Sequence, residues 1–362
     1  MKKVTLILLA AIWLGLGIWA WLSPSEEISD AERRKLAQLP ELSGKTVLDG
    51  SFMEDFEAYT LDQFPLRDNF RQLKALVHYN VLQQKDNNGI YIANGQAAKL
   101  EYPLNEASVK HAVGKFNKLY DTYLKDSGRI IFAAVPDKGY YLAEENGYPT
   151  LDYEVMFAQL QDGMPWAEFV DVTDILDAES YYRTDTHWRQ ERVLDVARRL
   201  CEALEAQMAE EKQFAVETVE RPFYGVYWGQ AAVPMGSEEV YLLRSDVLDG
   251  CTVYNYENGK TTAVYDLEKL GSKDLYDIYL SGATPLLTIE NPAAESDREL
   301  IVFRDSFGSS LVPLLVTDYR NVTVVDIRYI ASDLLGQFVD FHGQDVLFLY
   351  STLLLNNSGS LK

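Results

Sequence analysis

The chain has 362 residues, of which 47% are apolar and 24% charged, a balance that supports a large buried core and excludes wholesale disorder. Its 55 acidic against 33 basic residues give a formal charge of −22, which repels a phosphate backbone and argues against nucleic acid as a partner. The two cysteines, Cys201 and Cys251, are too few and too far apart for a zinc ribbon, a thioredoxin motif or a disulfide framework; they read as unpaired small residues, with one disulfide as the alternative.

After Lys2 and Lys3, residues 4–22 carry no charge and would span about 28 Å as a helix, close to the apolar thickness of a bilayer. Trp13, Trp19 and Trp21 load its outer half, and the lysine pair marks the inner end. A cleaved signal peptide usually has a shorter apolar stretch ending in small residues, whereas this one ends in Ala20-Trp21-Leu22-Ser23-Pro24. The reading is an uncleaved single-pass anchor over 1–22, with everything after it outside the cytoplasm. Residues 23–65 are polar, with a Glu32-Arg33-Arg34-Lys35 patch, and read as a stalk leading into short helices.

Residues 66–362 read as one α/β domain. Over 106–125 apolar residues recur at three and four, the pattern of an amphipathic helix, and Gly128 ends it. The run Ile130-Ile131-Phe132-Ala133-Ala134-Val135 follows as a strand buried on both faces. Similar runs lie at 169–172, 300–303, 322–325 and 346–350, separated by helical patterns of which 189–208 and 330–341 are the clearest. Strands alternating with helices predict a parallel sheet flanked by helices. Between 214 and 292 the texture becomes tyrosine-rich and alternating, with Asn258-Gly259 favouring a type I′ turn, and this predicts an antiparallel β insertion. Its aromatics suit either cross-strand packing or a platform for sugar rings.

Two segments carry candidate chemistry. Ser306, within Phe303-Arg304-Asp305-Ser306-Phe307-Gly308, follows a strand and precedes a helical run at 311–316. That places it at the carboxyl end of the sheet, where ligands bind and helix N-termini present unpaired N–H groups. A serine needs a base, and the base needs an orienting acceptor. Of the four histidines, His78, His111 and His342 fall in helical stretches or at a helix end, whereas His187 follows Asp185 by two residues ahead of a helical run, a spacing that puts both side chains on one side of an extended loop. Lys138 and Tyr140, after the first strand, are candidates to line the cleft and contact substrate, with a solvated loop as the plainer role for Lys138. Trp188 either shields the imidazole at the substrate side or staples the start of the next helix. A metal held by Asp185, His187 and Asp305 has too few ligands for a hydrolytic site, and nothing in the sequence calls for a cofactor.

Asp185-Thr186-His187-Trp188 resembles the D-H-H-W signature of a family of secreted SGNH-hydrolase-like proteins related to the periplasmic alginate O-acetyltransferases. The likeness extends to Asp62-Gln63-Phe64-Pro65-Leu66-Arg67, Asn88-Gly89-Ile90-Tyr91, Val135-Pro136-Asp137-Lys138 and the run 276–285 ahead of Ser306. It implies an SGNH-like fold in which Asp185, His187 and Ser306 form a triad in permuted order. The signature's second letter is Thr186 here, a position that is not the proposed base. The glycine that usually precedes the serine is replaced, since Arg304-Asp305 stands there, so the oxyanion donors implied are the Ser306 N–H and Arg304.

The resemblance further implies that a membrane-bound O-acyltransferase delivers acyl groups, which this domain passes to a cell-surface polysaccharide through an acyl-serine. An anchor would keep the domain near that delivery site. Two readings compete: hydrolysis of acyl esters by the same residues, and a noncatalytic envelope assembly protein that keeps only the fold.

Overall fold

A computed structural model describes residues 2–362 and divides the chain into two compact units. One holds the residues up to Asn88 together with Val226–Met235; the other holds Gly89–Gly225 and Gly236–Lys362.

In the first unit, α1 (Lys2–Leu22) is long and apolar enough to cross a membrane. After a one-turn helix, Gly44–Leu48, come two longer ones, α2 (Ser51–Asp62) and α3 (Arg67–Leu76), the latter running on into a π-helical turn, Val77–Val81. The carboxylate of Asp62 at the end of α2 grips the guanidinium of Arg34 (2.6 and 2.8 Å) and accepts from the N–H of Ala37 (2.9 Å), which ties the stalk to the helix.

The second unit opens with a hairpin of β1 (Ile90–Ala93) and β2 (Gln96–Lys99). The amphipathic pattern after residue 105 forms α4 (Glu106–Leu119), capped by the Asn105 side chain on the Ser108 N–H (3.1 Å). β3 (Ile130–Val135), α5 (Lys138–Leu142), α6 (Tyr153–Gly163), the two-residue β4 (Glu168–Phe169) and α7 (Leu194–Ala203) come next. β5 (Ala215–Phe223) and β6 (Glu238–Arg244) make a separate antiparallel ribbon. β7 (Thr252–Asn255), β8 (Lys260–Thr262), β9 (Leu286–Glu290), β10 (Glu299–Arg304), the one-turn α8 (Gly308–Leu311), β11 (Asn321–Val325) and β12 (Asp345–Ser351) complete the unit.

The central sheet has eight strands in the order β8-β7-β9-β11-β10-β12-β3-β4. From β11 to β4 all neighbours are parallel, while β9, β7 and β8 add an antiparallel edge. Alternate residues of the parallel strands enter opposite layers. Phe132, Ile301, Phe303 and Phe348 pack against Val109, Phe116, Met156 and Leu160 of α4 and α6. Ile131, Val302, Leu347 and Leu349 pack against Val196, Ala197 and Leu200 of α7 and against Trp188. Burial on both faces is why these strands read as unbroken apolar runs.

Several expectations need correcting. The tyrosine-rich segment is not one insertion: β5 and β6 stand apart, while β7, β8 and β9 extend the main sheet, because Leu287 and Ile289 continue the layer of Val322 and Val324. The Asn258-Gly259 turn is not type I′. Asn255 pairs with Lys260, leaving a four-residue turn in which only Gly259 has positive φ. The helix expected over 189–208 is a 3₁₀ turn, Gln190–Arg192, followed by α7, since the buried Gln190 amide donates to the Ser310 carbonyl (2.8 Å) and holds the chain off a helical path. Over 330–341 only the 3₁₀ turn Ser332–Gln337 forms; Gly336 weakens the segment and the Ser332 hydroxyl is drawn to the Lys362 carbonyl (2.6 Å). Cys201 and Cys251 are both free and buried.

Candidate active site

Ser306 lies between the carboxyl end of β10 and α8, half-buried. Its neighbour Asp305 fixes the turn. One carboxylate oxygen accepts from the Phe307 N–H (3.0 Å), the other from the N–H and hydroxyl of Ser351 at the end of β12 (2.8 and 2.6 Å). These contacts fully engage Asp305, so it is not disposed as the third ligand of a metal. Gly308 is required sterically: a Cβ there would come within 2.7 Å of Arg304 Cβ and 2.9 Å of its Cγ. Among the described residues the Ser306 N–H takes part in no hydrogen bond.

His187 arrives on a tight loop closed by an antiparallel bridge between Tyr181 and Trp188 and by the Tyr182 N–H on the His187 carbonyl (3.0 Å). Its Nδ1 lies 2.6 Å from Asp185 Oδ1, which also accepts the His187 N–H (3.0 Å). Its Nε2 lies 2.7 Å from Ser306 Oγ. A carboxylate only accepts, so Nδ1 carries the ring proton and Nε2 is left as the acceptor for the serine hydroxyl. Asp185 is fully buried and His187 nearly so, while Ser306 keeps access to solvent.

The ring is held by neighbours whose roles the sequence did not disclose. Tyr276 stacks on the imidazole, with centroids 3.9 Å apart and planes 8° apart, and its hydroxyl is 2.7 Å from Ser310 Oγ. Burial pushes the Tyr276 phenol well above its ordinary pKa, so it stays neutral. Trp188 is fully buried; its indole N–H donates to the Phe307 carbonyl and to Ser310 Oγ (both 3.0 Å). Buried and bonded in this way it makes no substrate contact, and it joins the histidine loop to the serine turn.

The peptide before Asp185 is gripped from both sides. Glu238 at the start of β6 accepts from the N–H groups of Arg183 (2.7 Å) and Thr184 (2.8 Å) and from the Thr184 hydroxyl (2.6 Å). Lys138 Nζ donates to the carbonyls of Tyr182 (2.9 Å) and Arg183 (3.3 Å). Burial pushes the Lys138 pKa down to about 7, against the opposing pull of the Asp185, Glu238 and Asp137 carboxylates. Lys138 thus faces the loop backbone inside the protein, out of reach of a substrate, because its own helix, α5, turns it inward. Gly225 completes the clamp: its N–H donates to Thr184 Oγ1 (3.0 Å), and a Cβ there would lie 2.3 Å from the Thr184 carbonyl and 2.4 Å from Asp185 Cβ.

Tyr140 stays at the surface, edge-on to Tyr141 and Tyr153. Arg304 is buried, and its guanidinium donates to the carbonyls of Asp305 (3.3 Å) and Gly282 (3.2 Å), 3.8 Å from the Asp326 carboxylate. With those donors engaged, the Arg304 guanidinium supports the turn.

No protein-family model matches the sequence, and no curated protein matches it. Solved structures do. A DHHW family protein from Eubacterium siraeum superposes with a TM-score of 0.60 at 20% identity, covering 76% of this chain and 95% of that one. Bacillus cereus PatB1 superposes with TM-scores of 0.58 with a sulfonyl adduct and 0.56 without, at 15% and 16% identity; each match covers 74% of this chain, and 95% and 96% of the neighbour. At these identities the likeness establishes the fold: a mixed α/β unit with a central, mostly parallel sheet flanked by helices, as in the DHHW and PatB1 structures.

Proposed function

We propose that this chain is an extracytoplasmic O-acyltransferase that moves an acyl group to a hydroxyl of a cell-surface polysaccharide through an acyl-Ser306 intermediate. The observation that carries the reading is the continuous hydrogen-bonded chain from Asp185 through His187 to Ser306 Oγ, at the carboxyl end of a parallel sheet. In the first half-reaction His187 Nε2 takes the Ser306 proton as Oγ bonds to the acyl carbonyl carbon, and the tetrahedral oxyanion is met by the Ser306 N–H. Collapse breaks the bond to the donor's oxygen, which leaves with the proton from Nε2. In the second half the acceptor hydroxyl gives its proton to Nε2 as its oxygen bonds to the acyl carbon, and collapse breaks the bond to Oγ, which takes that proton back from Nε2 and restores Ser306. Asp185 holds the tautomer throughout and stabilises the imidazolium, and the stacked Tyr276 face adds to that. The donor implied by the family resemblance is a membrane-bound O-acyltransferase, and a retained α1 would hold the domain beside it.

Ester hydrolysis is the second reading, favoured by the solvent access of Ser306, since water can take the acceptor's place. The decisive test is incubation of the protein with an activated acetyl ester and with a sulfonyl fluoride, followed by intact mass and peptide mapping. One adduct on Ser306, absent in Ser306→Ala and strongly reduced in His187→Ala, is expected. Equal labelling of all three proteins refutes the reading, and following the acetyl group to glycan or to water separates transfer from hydrolysis.

A further inference from the structure

Helix α3 is packed the wrong way round for a protein surrounded by water. Its arginines face inward: Arg67 and Arg71 converge on Glu32 (2.5 and 3.2 Å), and Arg71 also donates to the carbonyls of Gly229 (2.6 Å) and Gln230 (3.0 Å). Ala75 on the same side is fully buried. Its apolar residues face outward. Phe70, Leu73 and Val77 recur at helical spacing, with Leu66 at the N-cap and Leu76 alongside. Leu66 is 50% exposed, Phe70 45%, Leu73 55% and Leu76 42%, and Val81 closes the π-turn at 71%. An amphipathic helix ordinarily turns such a stripe to the core. No residue of the preceding helix α2 is buried either, and Met53 and Leu61 on it are exposed.

The place of this helix in its unit says what covers the stripe. Trp19, Ser23 and Pro24, at the outer end of α1, line one cleft together with Leu66, Asp68 and Asn69, at the start of α3. Hydrogen bonds hold the junction: Ser25 Oγ lies 3.3 Å from the Tyr59 hydroxyl, and Gln63 exchanges two bonds of 2.9 Å with the backbone of Glu26. The stripe therefore begins where the spanning segment leaves the apolar phase, at the level where Trp19 and Trp21 favour an interface. We propose that α3 is an interfacial helix that lays Leu66, Phe70, Leu73 and Val81 into the headgroup and acyl boundary of the outer leaflet. The net charge of −22 disfavours a second copy of the same acidic chain as the occupant, and it favours zwitterionic over anionic lipid. The inference rests on α1 being retained, a premise separate from the chemistry at Ser306.

The test uses the full chain in phosphatidylcholine nanodiscs, after intact mass has established that residues 1–22 are present; their loss would overturn the premise and the inference with it. A nitroxide is placed on Leu73→Cys, on Leu66→Cys and, as an aqueous reference, on Lys110→Cys in α4, with the unsubstituted chain as blank because both native cysteines are buried. At 66 and 73 the relaxation by oxygen should exceed that by a water-soluble nickel chelate, with the order reversed at 110. Labels at 66 and 73 as open to the chelate as the one at 110 overturn the proposal. So does protection from both reagents, which identifies a protein partner or a second copy as the cover. Replacing half of the lipid by phosphatidylglycerol should shift both labels towards water.

Discussion

Gly225→Ala is the sharpest test of how the site is held, because the side chain introduced is one methyl group and touches neither the base nor the serine. A Cβ at 225 would lie 2.3 Å from Thr184 C and O and 2.4 Å from Asp185 Cβ. Nonbonded carbons settle at about 3.5 Å or beyond. Something must therefore move by about 1 Å, and the atoms in the way are backbone and the Cβ of the acid itself. Hydrogen bonds to Glu238 and Lys138 tether that backbone, so the displacement passes into the carboxylate that orients His187. A misplacement of about 1 Å costs up to roughly a hundredfold in rate, which is about 2.7 kcal/mol of transition-state stabilisation. Overpacking should cost about 1–3 kcal/mol of stability as well. The assay is the rate of Ser306 acylation by an activated ester, measured well below the melting transition of the variant. Gly236→Ala is the companion control, since a Cβ at Gly236 meets nothing within 4 Å. Acylation of Gly225→Ala within threefold of wild type would refute the claim that this contact positions Asp185.

Asp185→Asn keeps the shape but presents an amide to Nδ1, so the acylation rate should fall by about 10²–10⁴ while the melting temperature stays within a few degrees; an unchanged rate would remove Asp185 from the mechanism. Lys138 is depressed from 10.5 to about 7 in the folded protein, so between those values the unfolded chain binds the extra proton. Folding stability should then rise with pH across that window, at up to about 1.4 kcal/mol per unit, and be flat in this respect below pH 7. Denaturant titrations of wild type and Lys138→Met from pH 6 to 10 check it: the variant should lack the rise, and parallel curves would contradict the buried, bonded position of this lysine. Trp188→Phe leaves the Phe307 carbonyl and the Ser310 hydroxyl without the indole donor, which should destabilise by about 1–3 kcal/mol; chemical denaturation reads it, and a loss below 0.5 kcal/mol would deny Trp188 its stapling role.

The sheet was legible where both faces of a strand are buried. Ile130–Val135 and the stretch Leu300–Phe303 of β10 announce themselves because no position along them needs to be polar. The edge strand β4 showed only as the run at 169–172, which overlaps it at one residue, and the alternation around Asn258-Gly259 announced β7 and β8 without showing that they and β9 join the main sheet, since the partner of an edge strand is set by tertiary pairing. At 330–341 the spacing of Ile330, Leu334, Leu335 and Phe338 mimics a helix, yet a 3₁₀ turn serves the same burial of Leu335. The Asp185, His187 and Ser306 constellation was legible from spacing and from position relative to a strand. Tyr276 was visible only as part of a motif, with nothing to say that its ring lies on an imidazole 89 positions earlier in the chain. Gly225 and Glu238 carried no signal at all, because a close approach of backbone to backbone leaves no pattern in a single sequence.

Those hidden residues explain the length of chain between the base and the nucleophile. His187 and Ser306 are separated by 119 positions, and the intervening segment supplies Gly225 and Glu238 against the Asp185 loop and Tyr276 against the imidazole. Neither the loop nor the serine turn holds the geometry alone: the loop's peptide groups are bonded to β6 and α5, and the two halves meet through Trp188, Gln190 and Ser310. Substitutions in the ribbon of β5 and β6 should therefore register at Ser306 although the ribbon supplies no reacting atom. Glu238→Gln, which keeps the size but can satisfy at most one of the two N–H donors with its single carbonyl oxygen, should slow acylation about tenfold, the equivalent of one lost charge-assisted hydrogen bond of about 1.4 kcal/mol. Adduct formation by Glu238→Gln at the wild-type rate would mean that the loop keeps its shape without β6, and the ribbon would then have no part in orienting the acid.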